Sequence, residues 1–151
     1  MTPEKGWMRM KLFVTGVCGQ LGHDVVNEAA RRGYEAVGSD LPPAYAGIPD
    51  GTAVTTAPYI PLDITDREAV LAAVTGERPD VVVHCAAWTA VDAAEDPENR
   101  EKVHAVNALG TRYIAEAAKA AGAKMIYLST DYVFDGQGSA PGSRTTKTTR
   151  R

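Results

Sequence analysis

Three glycines near the start of the chain have a spacing that can hold a phosphate. The run Val14-Thr15-Gly16-Val17-Cys18-Gly19-Gln20-Leu21-Gly22 has the form G-x-x-G-x-x-G. Gly16 permits a tight turn after a strand. Gly19 lets backbone approach a pyrophosphate with no Cβ in the way, and Gly22 lets the next helix pack close to the sheet. The free N–H groups and positive end of that helix then face the phosphates. The pattern therefore points to a dinucleotide, with a ligand-free glycine turn as the alternative.

Asp40 lies 24 residues after Gly16, at the expected tip of the second strand. A carboxylate there accepts hydrogen bonds from both adenosine ribose hydroxyls and repels a 2′-phosphate, which favours NAD over NADP. An ordinary loop acid is the competing reading. Asp63 and Ile64 follow the third strand; Asp63 either meets the adenine amino group or caps a helix. The fourth strand ends in His84-Cys85-Ala86-Ala87-Trp88-Thr89-Ala90-Val91-Asp92, where small residues let a cofactor backbone pass. His84 reads better as a satisfied core histidine than as a ligand. Cys18 and Cys85 read as inert buried thiols. The fifth strand ends in Ser129-Thr130-Asp131-Tyr132. A hydroxyl there can bond a substrate carbonyl, or it simply belongs to a polar turn. Three histidines and scattered acids give no metal-ligand spacing.

These positions need strands and helices in alternation. Strands are expected over 11–15, 34–38, 59–63, 81–85 and 124–128, the fourth being the β-branched run Val81-Val-Val of a doubly buried strand. Pro61 hints that the third ends early. Helices are expected over 20–32, 67–75 (capped by Thr65 or Asp66) and 97–121. The last opens at Asp96-Pro97 and stops at Gly122. The pattern gives a doubly wound parallel α/β sheet of five strands, Rossmann-like and truncated. The domain spans 10–136, with an extension over 1–9 and a disordered tail over 137–151 that breaks from the preceding pattern.

The chain has 151 residues, 44% hydrophobic and 23% charged, which fits one globular domain. No apolar stretch is long enough for a membrane span and the N-terminus has no secretory h-region. Two cysteines make no disulfide framework and fit a cytoplasmic setting. The formal charge is −3, but the last ten residues hold Arg144, Lys147, Arg150 and Arg151 and no acid. Without these four of the sixteen basic residues, twelve face nineteen acids, a balance of −7. That acidic body disfavours nucleic acid as a partner.

Taken together, four blocks resemble the extended short-chain dehydrogenase/reductase family, and within it the reductases of dTDP-L-rhamnose synthesis. They are residues 14–22, Leu62-Asp-Ile-Thr-Asp66, Pro79–Asp92 and Leu128–Gly136; Val106-Asn107-Ala108 also matches. The resemblance implies NADPH or NADH as cofactor and a dTDP-sugar ketone as substrate once a C-terminal domain completes the site. It places Gly16, Gly19, Gln20, Leu21 and Gly22 at the pyrophosphate, and Asp63 and Ile64 at the adenine. Ala86, Ala87 and Trp88 flank the cofactor, Thr130 is the hydroxyl of a catalytic Thr–Tyr–Lys set, and Thr89 and Tyr132 lie near the sugar. The family's Tyr-x-x-x-Lys pair has no match: the residues four after the six tyrosines are Gly38, Pro49, Asp63, Ala117, Asp131 and Gly136. The implied function is the cofactor-binding half of such a reductase, inactive alone. The alternatives are a noncatalytic NAD(P)-binding regulatory subunit and a fragment of another nucleotide-sugar epimerase or reductase. A fifth strand with a bare edge further suggests marginal stability or a homodimer.

Overall fold

The computed structural model describes residues 10–45, 57–130 and 133–134. The expected extension, the tail and Tyr132 lie outside the described residues. Five strands form one parallel sheet: β1 (Lys11–Thr15), β2 (Glu35–Asp40), β3 (Tyr59–Pro61), β4 (Val81–His84) and β5 (Lys124–Tyr127). Their spatial order is β3-β2-β1-β4-β5. The order reverses between β1 and β4, the switch point of a doubly wound fold, and the crevice of such a fold lies at the carboxyl ends there.

The central strands β1 and β4 are apolar on both faces because both faces are covered. Val14 on β1 and Val83 on β4 pack with Val17 and with Val26 of α1 (Gln20–Arg31). Their neighbours Phe13 and Val82 point the other way, against α2 (Arg67–Glu77) and α5 (Thr111–Ala121) through Val70, Val74, Ile114 and Ala117. Phe13, Val14, Val82 and Ile114 are fully buried. At the α2 N-terminus the Asp66 carboxylate accepts from Ala69 N at 3.0 Å, settling which of the two candidate caps is used.

The single helix expected over 97–121 is instead a series. It comprises a 3₁₀ turn at Pro97–Asn99, α4 (Arg100–His104), a π turn at Ala105–Gly110, and α5, and a short helix that was not expected, α3 (Val91–Glu95), precedes it. Pro97 separates α3 from the rest because it has no N–H to continue a helix. Asp96 makes no side-chain cap bond. The π turn sits where Asn107 holds the Trp88 backbone at both ends. Its Oδ1 accepts from Trp88 N at 2.8 Å and its Nδ2 donates to Trp88 O at 3.2 Å. Such widened turns concentrate at functional sites. Smaller differences matter less: β3 stops at Pro61, α2 runs on to Glu77, and β2 extends to Asp40 so that Ser39 and Asp40 lie in the ladder.

Three described glycines, Gly16, Gly33 and Gly122, take the left-handed conformation, and two of them differ in what surrounds them. Gly122 ends α5 at φ +71° with open space where a Cβ would stand. Gly16 has φ +74°, and a Cβ there would lie 2.6 Å from the Ala86 nitrogen. Gly122→Ala is therefore expected to cost about 1–2 kcal/mol from backbone strain alone. Gly16→Ala adds a backbone collision and is expected to cost about 3–5 kcal/mol. Urea unfolding of the two variants measures the difference; equal losses would show that β1 and β4 do not depend on the close approach.

Candidate cofactor-binding site

The carboxyl ends of β1, β2 and β4 border a cleft of about 220 Å³. Eight of the residues singled out in the sequence border it: Gly16, Gly19, Asp40, Asp63, Ile64, Ala86, Ala87 and Thr89. Ser39, Leu41, Leu62, Cys85 and Val106 complete its wall. None of these five was read from the sequence as a site residue, and their places in the fold reveal them. Strand alternation from Asp40 would have put Ser39 on the opposite face, and the Val106-Asn107-Ala108 run was the one available hint for Val106.

The turn after β1 is held from below. The Ser39 carbonyl accepts from Gly16 N at 2.8 Å and Val17 N at 3.3 Å. Gly22 is buried under this turn; a Cβ there would stand 2.2 Å from the Gly16 carbonyl oxygen. Gln20 and Leu21 are exposed on the first turn of α1, and neither they nor Gly22 borders the cleft. The N-terminus of α1 has no side-chain cap and no acid in its first turn. Its amides are thus left for water or for an anion.

Asp40 closes the adjacent wall. Its Oδ2 accepts from Cys18 N at 2.9 Å and its Oδ1 from Leu41 N at 2.8 Å. The carboxylate therefore ties the glycine turn to the end of β2. Tyr59 donates to the carbonyls of Asp40 and Pro42, at 3.0 and 2.6 Å. Tyr45 bonds to His23 on α1, whose Nε2 accepts from Asn27 at 2.9 Å. Residues 40–45 are in this way pinned beside the cleft. Asp63 uses Oδ1 to accept from both Thr65 N and Thr65 Oγ1, at 2.8 and 2.7 Å. It shapes the turn before α2 while standing exposed on the cleft rim.

Beneath the cleft lies a buried polar relay. Thr15 Oγ1 accepts from Cys85 N and Ala86 N, each at 3.2 Å. Its one proton must then go to His84 Nδ1, 2.7 Å away. That assigns the His84 proton to Nε2, which donates to Thr111 Oγ1 at 3.0 Å. His84 is thus the satisfied core histidine the sequence suggested, and Tyr127 stacks on it. Burial lowers its pKa from 6.5 to about 4. Cys18 and Cys85 are free and half-buried, and burial raises both thiols, helped at Cys18 by the Asp40 charge. Both stay protonated at neutral pH.

Trp88 stands beside the cleft with its indole donating to Ala90 O at 3.1 Å, and it does not border the cavity. Thr130 is exposed on the segment after β5 and also lies off the cavity wall. Among the described residues no helix is long and apolar enough to cross a membrane, and no group of three His, Cys, Asp or Glu could hold a metal.

Comparison with known proteins places this cleft in a family. The family described as RmlD substrate binding domain matches residues 10–149. A dTDP-4-dehydrorhamnose reductase of Streptomyces griseus is 43% identical over 133 residues, covering 88% of this chain and 37% of that protein. The crystal structure of a dTDP-4-dehydrorhamnose reductase from Clostridium acetobutylicum aligns with TM-score 0.72 and 33% identity, over 93% of this chain and 43% of that one. The enzyme of the same name from Bacillus anthracis, in complex with NADP, aligns with TM-score 0.69 and 34% identity over 89% and 41%. The chain belongs to the RmlD substrate binding domain family, and it spans well under half the length of these relatives.

The relay under the cleft fixes a pH dependence. An unfolded histidine takes its proton near pH 6.5, whereas folded His84 stays neutral to about pH 4. Between those values the unfolded state binds the extra proton, so stability falls as pH falls. The loss attributable to His84 is expected to reach about 2–3 kcal/mol. His84→Asn should flatten the slope between pH 6.5 and 4.5 in urea unfolding; parallel slopes for the two proteins would count against the assignment.

Proposed function

We propose that this chain is the dinucleotide-binding part of an NAD(P)H-dependent reductase that acts on the C4 ketone of dTDP-4-dehydro-L-rhamnose. The observation that carries the reading is the uncapped α1 N-terminus behind Gly16 and Gly19, opening into a cleft at the sheet's switch point. The residues present fit a dinucleotide. The Gly16 turn leaves no room for a Cβ, the α1 amides have no internal partner side chain, and two carboxylates stand on the adenosine side. The names of the relatives supply the substrate class.

In this reading the first-turn amides of α1 hold the pyrophosphate. Asp40 accepts from the adenosine ribose hydroxyls with the lone pairs it does not use on Cys18 and Leu41. Asp63 and Ile64 meet the adenine. Ala86 and Ala87 keep the wall low, and Asn107 fixes Trp88 and hence the path of the backbone beside it. Thr130 offers its hydroxyl to the sugar carbonyl, with Thr89 and Tyr132 nearby. When bound, the reduced dinucleotide supplies the hydride. Proton delivery in this family rests on a Tyr-x-x-x-Lys pair, and no tyrosine of these 151 residues has lysine four places on. The part proposed for these 151 residues is therefore the cofactor-binding half of the site.

Titration calorimetry of the folded chain with NADH and NADPH tests this. Saturable binding of at least one is expected. Asp40→Asn should weaken NADH and shift the NADH/NADPH affinity ratio toward NADPH by about tenfold, as loss of a charged hydrogen bond and of charge repulsion requires. A folded chain that binds neither nucleotide would end the proposal.

A further inference from the structure

Ser39 is 1% exposed, and its hydroxyl has no hydrogen-bond partner among the described residues. It also borders the cleft. A buried hydroxyl without a partner is uncommon and costs free energy, so its persistence asks for a reason.

The surroundings explain why nothing in the protein satisfies it. On β2, Val37 packs toward α2 and α5, and Ser39, two residues on, shares that face. Its register partners are Thr15 on β1 and Ile60 on β3. Ile60 has no polar side chain. Thr15 has none to spare: it accepts from Cys85 N and Ala86 N and gives its proton to His84. The next polar group along, His84, is used at both nitrogens. The Ser39 main chain is likewise committed, with its carbonyl holding the Gly16 turn. What is left is one hydroxyl, on the β1–β2–β3 side of the switch point, beside Asp40, Leu41 and Asp63. In a doubly wound sheet that half receives the adenosine end of a dinucleotide.

We infer that the Ser39 hydroxyl is a direct ligand of the adenosine half of the dinucleotide, left unsatisfied in the free protein and satisfied on binding. This rests on the cofactor reading above. The ligand group is a hydrogen-bonding atom of the adenine or its ribose, since the pyrophosphate lies at α1 on the other side of the Gly16 turn.

The inference has a signature that a structural serine lacks. Ser39→Ala removes a buried polar group that has no partner, so the free chain should melt at the same temperature or about 2–4 °C higher. The same change should weaken NADH by about five- to tenfold, the worth of one hydrogen bond. ADP-ribose, which keeps the adenosine and lacks the nicotinamide, should weaken by the same factor. Titration calorimetry of the full chain and its Ser39→Ala variant with NADH and ADP-ribose, beside melts of the free proteins, reads all three. Equal affinities in the two proteins would overturn the inference and leave the cofactor reading intact. A lower melting temperature in Ser39→Ala would show a structural hydroxyl and overturn it as well. A wild-type chain that binds neither ligand would overturn both the inference and the reading beneath it.

Discussion

The two halves of the sheet meet where Gly16 lies against the backbone of Ala86, closer than any side chain would allow. That contact sets the rest of the site. It brings the Thr15 hydroxyl within reach of the Cys85 and Ala86 amides where β4 ends. It then passes the hydroxyl proton to His84 and fixes that ring's tautomer and its bond to Thr111 on α5. β1, β4 and the crossover helix are thus joined through one threonine hydroxyl. Thr15 and His84 are both fully used, and a half-satisfied network in the same place would cost more than an apolar one.

Against that satisfied relay, the unsatisfied groups gather on one side. The α1 N-terminus has neither a side-chain cap nor an acidic first turn, although α2 has both in Asp66 and Glu68. Ser39 stands without a partner a few residues away in the same cleft. A fold that caps one helix with an aspartate and leaves another bare has not run out of capping residues. In the reading proposed above, the bare end is kept for something that arrives with negative charge and hydrogen-bonding groups.

How much of this the sequence shows depends on how local the cause is. The strands are legible because Val81-Val-Val and Leu12-Phe-Val are buried on both faces, and burial on both faces leaves a continuous apolar run. The glycine turn is legible because a Cβ has no room at Gly16 or Gly22. The segment from Val91 to Ala121 is half legible. Its apolar spacing correctly marks a helical face, with Ile114 and Ala117 buried, but the π turn depends on a tertiary contact between Asn107 and Trp88 that periodicity cannot carry. Ser39 is not legible at all. Its significance is that Thr15, in register beside it, has already given away its only proton, and that follows from the sheet rather than from either residue type.

The two sides of the cleft differ in how firmly they are built. On the adenosine side, β2 and β1 are covered on both faces, and residues 40–45 are tied down by Asp40, Tyr45 and Tyr59. On the other side, β5 leaves Ile126 and Tyr127 about half exposed, and Leu128 follows in the same state. The groove between Ile126, Val83 and α1 is open, because α1 lies mainly over β1 and β2. Rigid, fully packed walls lose little freedom when a ligand orders them, so they return more of their contact energy as affinity. A dinucleotide on this chain would accordingly draw most of its binding free energy from its adenosine half. The nicotinamide half would rest on the less covered strands, where Thr130 stands.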